Sequence, residues 1–135
     1  MIKKSPWLYH IATGGCNGCD IEILAAITPR FDAERLGCVL KGSPRHADIL
    51  VVTGCVTNKM KGRLLRIYSQ MSRKRIVIGI GICTTSGGFF KNAPNRACLG
   101  CSLEKFLPVD IYVQGCPPRP QAILYGIKKA LEMLK

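Results

Sequence analysis

Long hydrophobic runs are missing from this sequence of 135 residues. The longest apolar stretches are short, as in RIVIGIGIC ending at Cys83, and fall far below the roughly 20 residues that a membrane-spanning helix needs. Segments rich in Ser and Pro and blocks of like charge are also missing, while 47% of the residues are hydrophobic. These features exclude a transmembrane helix and predict one compact domain over residues 1–135.

Acidic residues are scarce. The sequence has 8 Asp and Glu and 20 Lys and Arg, which gives a formal net charge of +12. Such a basic chain raises the question of nucleic-acid binding. The basic residues are spread along the chain, however, and the aromatic residues, 7% of the total, do not alternate with them as they do on base-stacking surfaces. We therefore predict no nucleic-acid partner and a solvated face that suits acidic partner subunits or an anionic membrane surface.

The N-terminus lacks the long apolar region of a secretory signal. In MIKKSPWLYHIATGGC the apolar part is short, His10 interrupts it, and its residues alternate as they do in a strand. We therefore expect an intracellular protein, whose thiols stay reduced. Its 8 cysteines are then better explained as metal ligands than as a disulfide framework.

Apolar runs and helical patterns alternate along the chain. The strands that the pattern predicts cover residues 7–13, 36–42, 47–54, 75–81 and 109–115. The predicted helices run from a cap at Asp20 to a stop near Pro29, over 58–71, and over 119–134 with Pro120 in the first turn. This order predicts an α/β sandwich with a mostly parallel sheet.

Most cysteines follow predicted strands. In open parallel sheets the functional crevice lies outside the carboxyl ends of the strands, so thiols in these positions converge on one edge. Cys38 lies instead inside the predicted second strand, where a buried free cysteine serves as a small apolar side chain. The five thiols expected at the edge are Cys16 and Cys19 after the first strand, Cys55 after the third, Cys83 after the fourth and Cys116 after the fifth.

The first two cysteines lie in the glycine-rich turn ATGGCNGCDIE. A C-x-x-C spacing lets one turn present two thiolates to a metal centre, and Gly14, Gly15 and Gly18 let backbone N–H groups approach inorganic sulfide or a metal. Two other interpretations stay open. A thioredoxin-like redox pair would explain none of the other cysteines, and half of a zinc site would need a second pair.

A proline follows Cys116 in the motif QGCPPRP. This arrangement is typical of ferredoxin cluster motifs, where the fixed φ and missing N–H of a residue such as Pro117 hold the chain away from the sulfur. A rigid strand-to-helix turn would explain the motif equally well. Cys83 lies in a second glycine-rich segment, GIGICTTSGGFF.

Four of these thiols match the number that a cubane [4Fe–4S] cluster needs, one for each iron. They are Cys16, Cys19, Cys83 and Cys116. Zinc also accepts four thiolates, and Cys98 and Cys101 in ACLGC form a second C-x-x-C that could pair with the first. Spacing favours the iron–sulfur cluster over zinc without excluding zinc.

Four motifs together resemble a known family: GGCNGCDIE, ADILVVTGCVTNKM, GICTTSGG and VDIYVQGCPPRPQAILYGI. The family is the small-subunit family shared by [NiFe] hydrogenases and the 20 kDa cluster-bearing subunit of respiratory complex I. The match covers almost the whole chain, with the motifs in the family's order. The resemblance implies a flavodoxin-like, three-layer α/β domain with one [4Fe–4S] cluster beside a partner's active site, and Cys16, Cys19, Cys83 and Cys116 fall on the ligand positions.

The first motif favours the hydrogenase branch, because it reads C-N-G-C where complex I subunits have two adjacent cysteines. The chain stops at Lys135, so it resembles the short small subunit of membrane-bound, energy-converting hydrogenases. The resemblance implies an electron-transfer component of an oxidoreductase that is not catalytic alone. The implied partners are a hydrogenase-type large subunit, a ferredoxin-like iron–sulfur subunit and membrane-anchor subunits, at the cytoplasmic face of the membrane.

Two alternatives to this function stay open. A related complex that reduces sulfur or a quinone would use the same cluster subunit. From another class, a zinc-stabilised binding module would use two C-x-x-C pairs.

Other residues are expected around the ligands without binding iron. Glu22 matches a carboxylate of the pattern C-x-x-C-x-x-E and could lie on a proton route, although a Glu in the first turn of a helix is also favoured by the helix dipole. Cys98 and Cys101 lie in a variable insertion, and the family pattern does not explain them. The neighbours expected to tune the cluster are Cys55, Gly15, Gly18 and Pro117.

Overall fold

The computed structural model describes residues 5–92, 98–99 and 102–135. Its centre is a five-stranded sheet in the order β2-β1-β3-β4-β5. All the described strand pairings are parallel, and the order is that of flavodoxin-like sheets. The predicted fold class is confirmed. The strands are β1 (Trp7–Gly14), β2 (Val39–Leu40), β3 (Ile49–Gly54), β4 (Ile76–Ile80) and β5 (Ile111–Val113).

Helices cover both faces of the sheet and make it the middle of three layers. Helices α1 (Gly18–Ile27) and α4 (Pro120–Leu134) belong to the hydrophobic cluster on one face, and α2 (Asn58–Gln70) belongs to the cluster on the other. A short helix, α3 (Ile82–Ser86), follows β4. Strands β3 and β4 are buried at every residue, because successive side chains of a strand point to opposite faces and both faces are covered.

The second strand is shorter than predicted. A 3-10 turn ends at Leu36 and Gly37 follows with φ 78°, so the extended backbone that pairs with β1 begins only at Val39. Cys38 therefore precedes the strand rather than lying inside it. The predicted burial of its side chain is confirmed, since Cys38 is 3% exposed and belongs to the core.

Two helix starts also differ from the prediction. The residue that precedes α1 is Asn17, with φ 68°, and Asp20 lies in the first turn, where its carboxylate accepts a hydrogen bond from Thr53 instead of capping the helix. The segment at Cys83 was expected to be a glycine-rich loop. It forms α3, because Gly81 (φ 89°) turns the chain sharply after β4 and a helical turn starts at the next residue.

The carboxyl ends of the strands meet along one edge of the sheet. The backbone N–H of Cys55 donates to the carbonyl of Gly14 at 2.7 Å, and the N–H of Gly81 donates to that of Val113 at 2.8 Å. These bonds join the end of β1 to that of β3 and the end of β4 to that of β5. The segments that carry the predicted cysteines therefore leave the sheet side by side.

Candidate functional site

The turn between β1 and α1 holds Cys16 and Cys19. Asn17 takes a left-handed conformation, which Asn tolerates better than most residues, and this reverses the chain between the two thiols. Cys16 is exposed in the turn, whereas Cys19 is half-buried in the first turn of α1. The C-x-x-C spacing thus places one thiol outside and one at the base of the same turn.

The other two predicted ligands come from neighbouring strand ends. Cys83 is half-buried in α3, directly after β4, and Cys116 is exposed after β5. The N–H of Ile82 donates to the carbonyl of Gly115 at 3.0 Å, which ties these two segments together. The peptide bond between Cys116 and Pro117 is cis.

Electrostatics show that the four thiols share one environment. Burial, and after it the charges of Cys83, Cys16, Asp20 and Cys116, raise the pKa of Cys19 to about 11. Burial likewise raises the pKa of Cys83, with added contributions from Cys116, Cys16 and Cys98. Four thiolates so close together repel one another, so they need positive charge between them.

Glycines line the thiols and leave room around the sulfur atoms. A Cβ atom added at Gly81 would lie 2.7 Å from the Sγ of Cys19, and one at Gly18 would lie 3.4 Å from that of Cys16 and 3.9 Å from Pro117. A Cβ at Gly15 would instead meet the Cα of Gly54 at 3.2 Å. Gly18 therefore leaves space between Cys16 and Pro117, and Gly15 allows β1 and β3 to approach. That Gly15, Gly18 and Pro117 tune a cluster stays a prediction.

The donor set of four thiols from three segments has the chemistry that an iron–sulfur cluster needs. Within residues 5–92, 98–99 and 102–135, no group of three or more His, Cys, Asp or Glu side chains is arranged to hold one metal ion. Tetrahedral zinc, with Zn–S bonds of about 2.3 Å, draws four thiolates close around one point. A cubane cluster instead offers each thiolate its own iron, which suits thiols contributed by separate strand ends.

Two of the remaining cysteines, Cys55 and Cys98, contact each other and interact electrostatically with Cys83. Cys55 and Cys98 are buried, and the pKa of Cys55 is raised to about 12 by burial, by a hydrogen bond with Cys98 and then by the charges of Cys98 and Cys83. A short antiparallel bridge between Thr57 and Cys98 brings the second thiol there. Cys101 lies outside the described residues, so the predicted second C-x-x-C is described only at Cys98.

Glu22 is half-buried in α1, three residues beyond Cys19. Its role on a proton route stays a prediction.

Sequence reasoning missed a polar group beneath the first turn of α1. The Nε2 of His10 lies 2.8 Å from Oδ1 of Asp20 and 3.1 Å from Oγ1 of Thr53, and the Thr53 hydroxyl donates to the same carboxylate oxygen at 2.5 Å. The only sequence signal was an acidic residue next to Cys19. A histidine in a strand gave no indication that it faces that residue.

A comparison with known families identifies the chain. The family model described as NADH ubiquinone oxidoreductase, 20 Kd subunit, matches residues 16–130. The chain belongs to this family. The match spans all four cysteines of the candidate site and confirms the resemblance stated from the motifs. The members of this 20 kDa subunit family are therefore subunits of oxidoreductases.

Two known proteins are similar to this chain over nearly its whole length. The probable membrane-bound hydrogenase subunit mbhJ of Pyrococcus furiosus is 54% identical over 133 residues, which are 98% of this chain and 78% of that protein. Formate hydrogenlyase subunit 7 of Escherichia coli is 46% identical over 134 residues, which are 99% of this chain. The chain spans 51% of the length of that second relative.

A solved structure agrees with the sequence relatives. A chain of the membrane-bound sulfane sulfur reductase, an archaeal respiratory membrane complex, matches with a TM-score of 0.83 and 38% identity over 98% of this chain and 71% of that chain. In the part of this chain that the structure describes, no helix combines the length and the apolar character needed to cross a membrane.

Proposed function

We propose that the chain is the electron-transfer small subunit of a membrane-bound, energy-converting [NiFe] hydrogenase. In this proposal Cys16, Cys19, Cys83 and Cys116 hold one [4Fe–4S] cluster. The observation that carries it is the meeting of four mutually interacting thiols at the carboxyl edge of the sheet, from three separate segments of the chain. The strong likeness to a hydrogenase subunit supports the choice of complex.

The cluster, when bound, supplies one-electron transfer. The protein's own part is to hold and surround it. Cys19 and Cys83 are half-buried and Cys16 and Cys116 are exposed, so one side of the group faces the core and the other is open toward a partner. Gly81 and Gly18 keep side chains away from the sulfur atoms, and the carboxylate of Asp20 places a negative charge beside Cys19.

Electrons would reach the cluster from a ferredoxin-like subunit and leave to the nickel–iron centre of a large subunit. The chain is then a component of an oxidoreductase and not an enzyme alone. Membrane-anchor subunits would hold it at the cytoplasmic face, and its net charge of +12 suits acidic partner surfaces. The names of the relatives, a membrane-bound hydrogenase subunit and a formate hydrogenlyase subunit, support this assembly.

A second candidate is the same role in a sulfur-reducing complex. The match to a chain of the membrane-bound sulfane sulfur reductase, with a TM-score of 0.83, favours it. The cluster site would be unchanged, and only the terminal reaction of the partner would differ.

The test is metal and sulfide analysis of the chain purified without oxygen. We expect brown protein with about four irons and four acid-labile sulfides per chain and a paramagnetic signal on reduction. Stoichiometric zinc without sulfide would contradict the cluster and favour the zinc-stabilised module. Hydrogen-dependent dye reduction should appear only when the large subunit is added, and sulfane-sulfur reduction in its place would favour the second candidate.

A further inference from the structure

Two buried thiols that the proposed cluster does not use lie side by side behind the edge of the sheet. Cys55 follows β3 directly, and Cys98 comes from a segment more than 40 residues further along the chain. They are 3% and 8% exposed, and a hydrogen bond joins their side chains. Because neither is among the four cysteines assigned to iron, the contact between them needs its own explanation.

Backbone pairing holds these two thiols together. The N–H of Leu99 donates to the carbonyl of Val56 at 2.9 Å, and these two residues directly follow the two cysteines. Thr57 and Cys98 also form an antiparallel bridge. The backbones that carry the two thiols are therefore joined at neighbouring points, so the contact does not depend on the side chains alone.

The pair lies next to a proposed cluster ligand without belonging to the ligand set. Cys83 interacts electrostatically with both Cys55 and Cys98. Cys83 itself is half-buried at the edge of the sheet, where iron would hold its sulfur atom. With Cys83 bound to iron, each of the two buried thiols has the other as its reaction partner.

Burial decides which reagents can oxidise such a pair. A buried site excludes the surface of another protein, whereas a small disulfide can reach it when the surrounding residues open locally. Cys98 is the more exposed of the two cysteines, so its sulfur is the one that a reagent meets first. Disulfides inside cells are mostly transient and redox-sensing, which suits a pair that opens and closes better than a permanent link.

We propose that Cys55 and Cys98 are a reversible dithiol–disulfide pair, a redox-sensitive site that is separate from the cluster ligands. The oxidant is a low-molecular-weight disulfide. The thiolate of Cys98 attacks one sulfur of this reagent and releases the other as a thiolate. The thiolate of Cys55 then attacks the sulfur of Cys98 and releases the second half of the reagent. The two thiol protons of the protein pass to the two released thiolates, and the two electrons reduce the S–S bond of the reagent.

The experiment exposes the iron-loaded full chain to oxidised glutathione in the absence of oxygen. The remaining thiols are blocked with N-ethylmaleimide, and the chain is digested with trypsin without a reductant. We expect peptide 46–59, which contains Cys55, to be joined to peptide 97–105, which contains Cys98. Fragmentation of the joined peptides should place the bond on Cys98 and not on Cys101, and dithiothreitol should restore both thiols.

Two matched pairs of serine variants check the assignment. Cys98→Ser should lose the cross-link, whereas Cys101→Ser, in the same peptide, should keep it. Cys55→Ser should also lose the cross-link, whereas Cys38→Ser should keep it, because Cys38 is equally buried but precedes β2. A bond to Cys101, or glutathione left on Cys98 without a cross-link, would overturn the inference.

The ratio of cross-linked to reduced pair gives a second readout that needs no variant. In glutathione buffers this ratio should follow a two-electron couple, with a tenfold change per about 30 mV. It should reach the same value from the reduced and from the oxidised chain. No cross-link in any buffer, or different values from the two directions, would overturn the inference and leave the cluster assignment intact. Glutathione on Cys83 with the cross-link in place would instead contradict the proposed function alone, because iron should protect that thiol.

Discussion

The cysteines at the carboxyl edge of the sheet and those packed inside the protein differ in their surroundings more than in their spacing. Cys16, Cys19, Cys83 and Cys116 are exposed or half-buried, whereas Cys38, Cys55 and Cys98 are buried. Spacing alone does not separate the two sets, since Cys98 begins a C-x-x-C as Cys16 does. The comparison leads us to propose that solvent access and a glycine lining mark the ligands, and to expect that each set responds differently to substitution.

The largest expected effect is the loss of one edge thiol. Serine at Cys16, Cys19, Cys83 or Cys116 should lose or convert the cluster, because each thiolate holds one iron and a hydroxyl is a poorer ligand. Iron and sulfide analysis with the spectrum of the reduced state measures this. Cys98→Ser is the matched control from the buried set and should keep about four irons per chain.

A different result for the control would change the comparison itself. If Cys98→Ser lost about half the iron, the buried cysteines would carry a second metal centre and the assignment of one cluster would be wrong. Full iron in Cys83→Ser would remove that residue from the ligands.

The strand-end rule explains why much of the site could be predicted. Continuous apolar runs identified β3 and β4, and a thiol after a buried parallel strand lies at the carboxyl edge whatever the details of the loop. This reasoning placed Cys83 and Cys116 near Cys16 without any knowledge of the loops. It also predicted the order of strands and helices, which follows from the alternation of the two periodicities.

Other features depend on contacts between distant residues, which a linear pattern does not contain. The sequence predicts Asp20 as a helix cap, but its carboxylate instead accepts a hydrogen bond from the hydroxyl of Thr53 on β3. Cys55 was placed at the crevice by the same rule that succeeded for Cys83, yet it is buried and hydrogen-bonded to Cys98, from a segment more than 40 residues away in sequence. The rule locates the backbone at the edge, and packing decides which way the side chain turns.

The glycine lining offers a second test of the edge. Gly81→Ala should lose part of the iron, because the new Cβ would lie 2.7 Å from the Sγ of Cys19 and the backbone there has φ 89°. This backbone conformation, φ 89° and ψ 165°, costs about 1–3 kcal/mol for a residue with a side chain. Iron content and the urea midpoint measure the two effects separately.

Gly62→Ala is the matched control for that substitution. Gly62 lies inside α2, and a Cβ there meets nothing within 4 Å, so alanine should stabilise the protein by about 0.5–1 kcal/mol with full iron content. Equal iron in both variants would mean that Gly81 does not shape the site.

The buried Cys38 thiol should make the stability of the protein depend on pH in alkaline solution. Burial raises the pKa of the Cys38 thiol to about 11 from an ordinary value of 9.0, so the folded protein keeps this proton when the unfolded chain has lost it. The stability that Cys38 contributes is present below pH 9 and is lost as pH rises toward 11, by roughly 2–3 kcal/mol.

Cys38→Ala should therefore be less stable than the wild type at pH 7, by about 1 kcal/mol for the lost sulfur contacts, and more stable near pH 11. Urea unfolding of both chains at each pH measures the difference, in which all other titrating groups cancel. A difference that stays constant with pH would mean that Cys38 does not keep its proton on folding.

The smallest expected effect belongs to Cys55, which stands between the two sets because it follows β3 toward the crevice but is buried. Its side chain is buried and hydrogen-bonded to Cys98, so we expect it to bind no iron. It does lie close enough to Cys83 for their charges to interact, and a nearby dipole tunes a cluster without holding it. Cys55→Ser should thus keep the iron and shift the reduction equilibrium by less than tenfold, under about 59 mV, while Cys38→Ser leaves the potential unchanged. Loss of iron from Cys55→Ser would mean that Cys55 is a ligand. Burial would then no longer distinguish the cysteines that bind iron from those that do not.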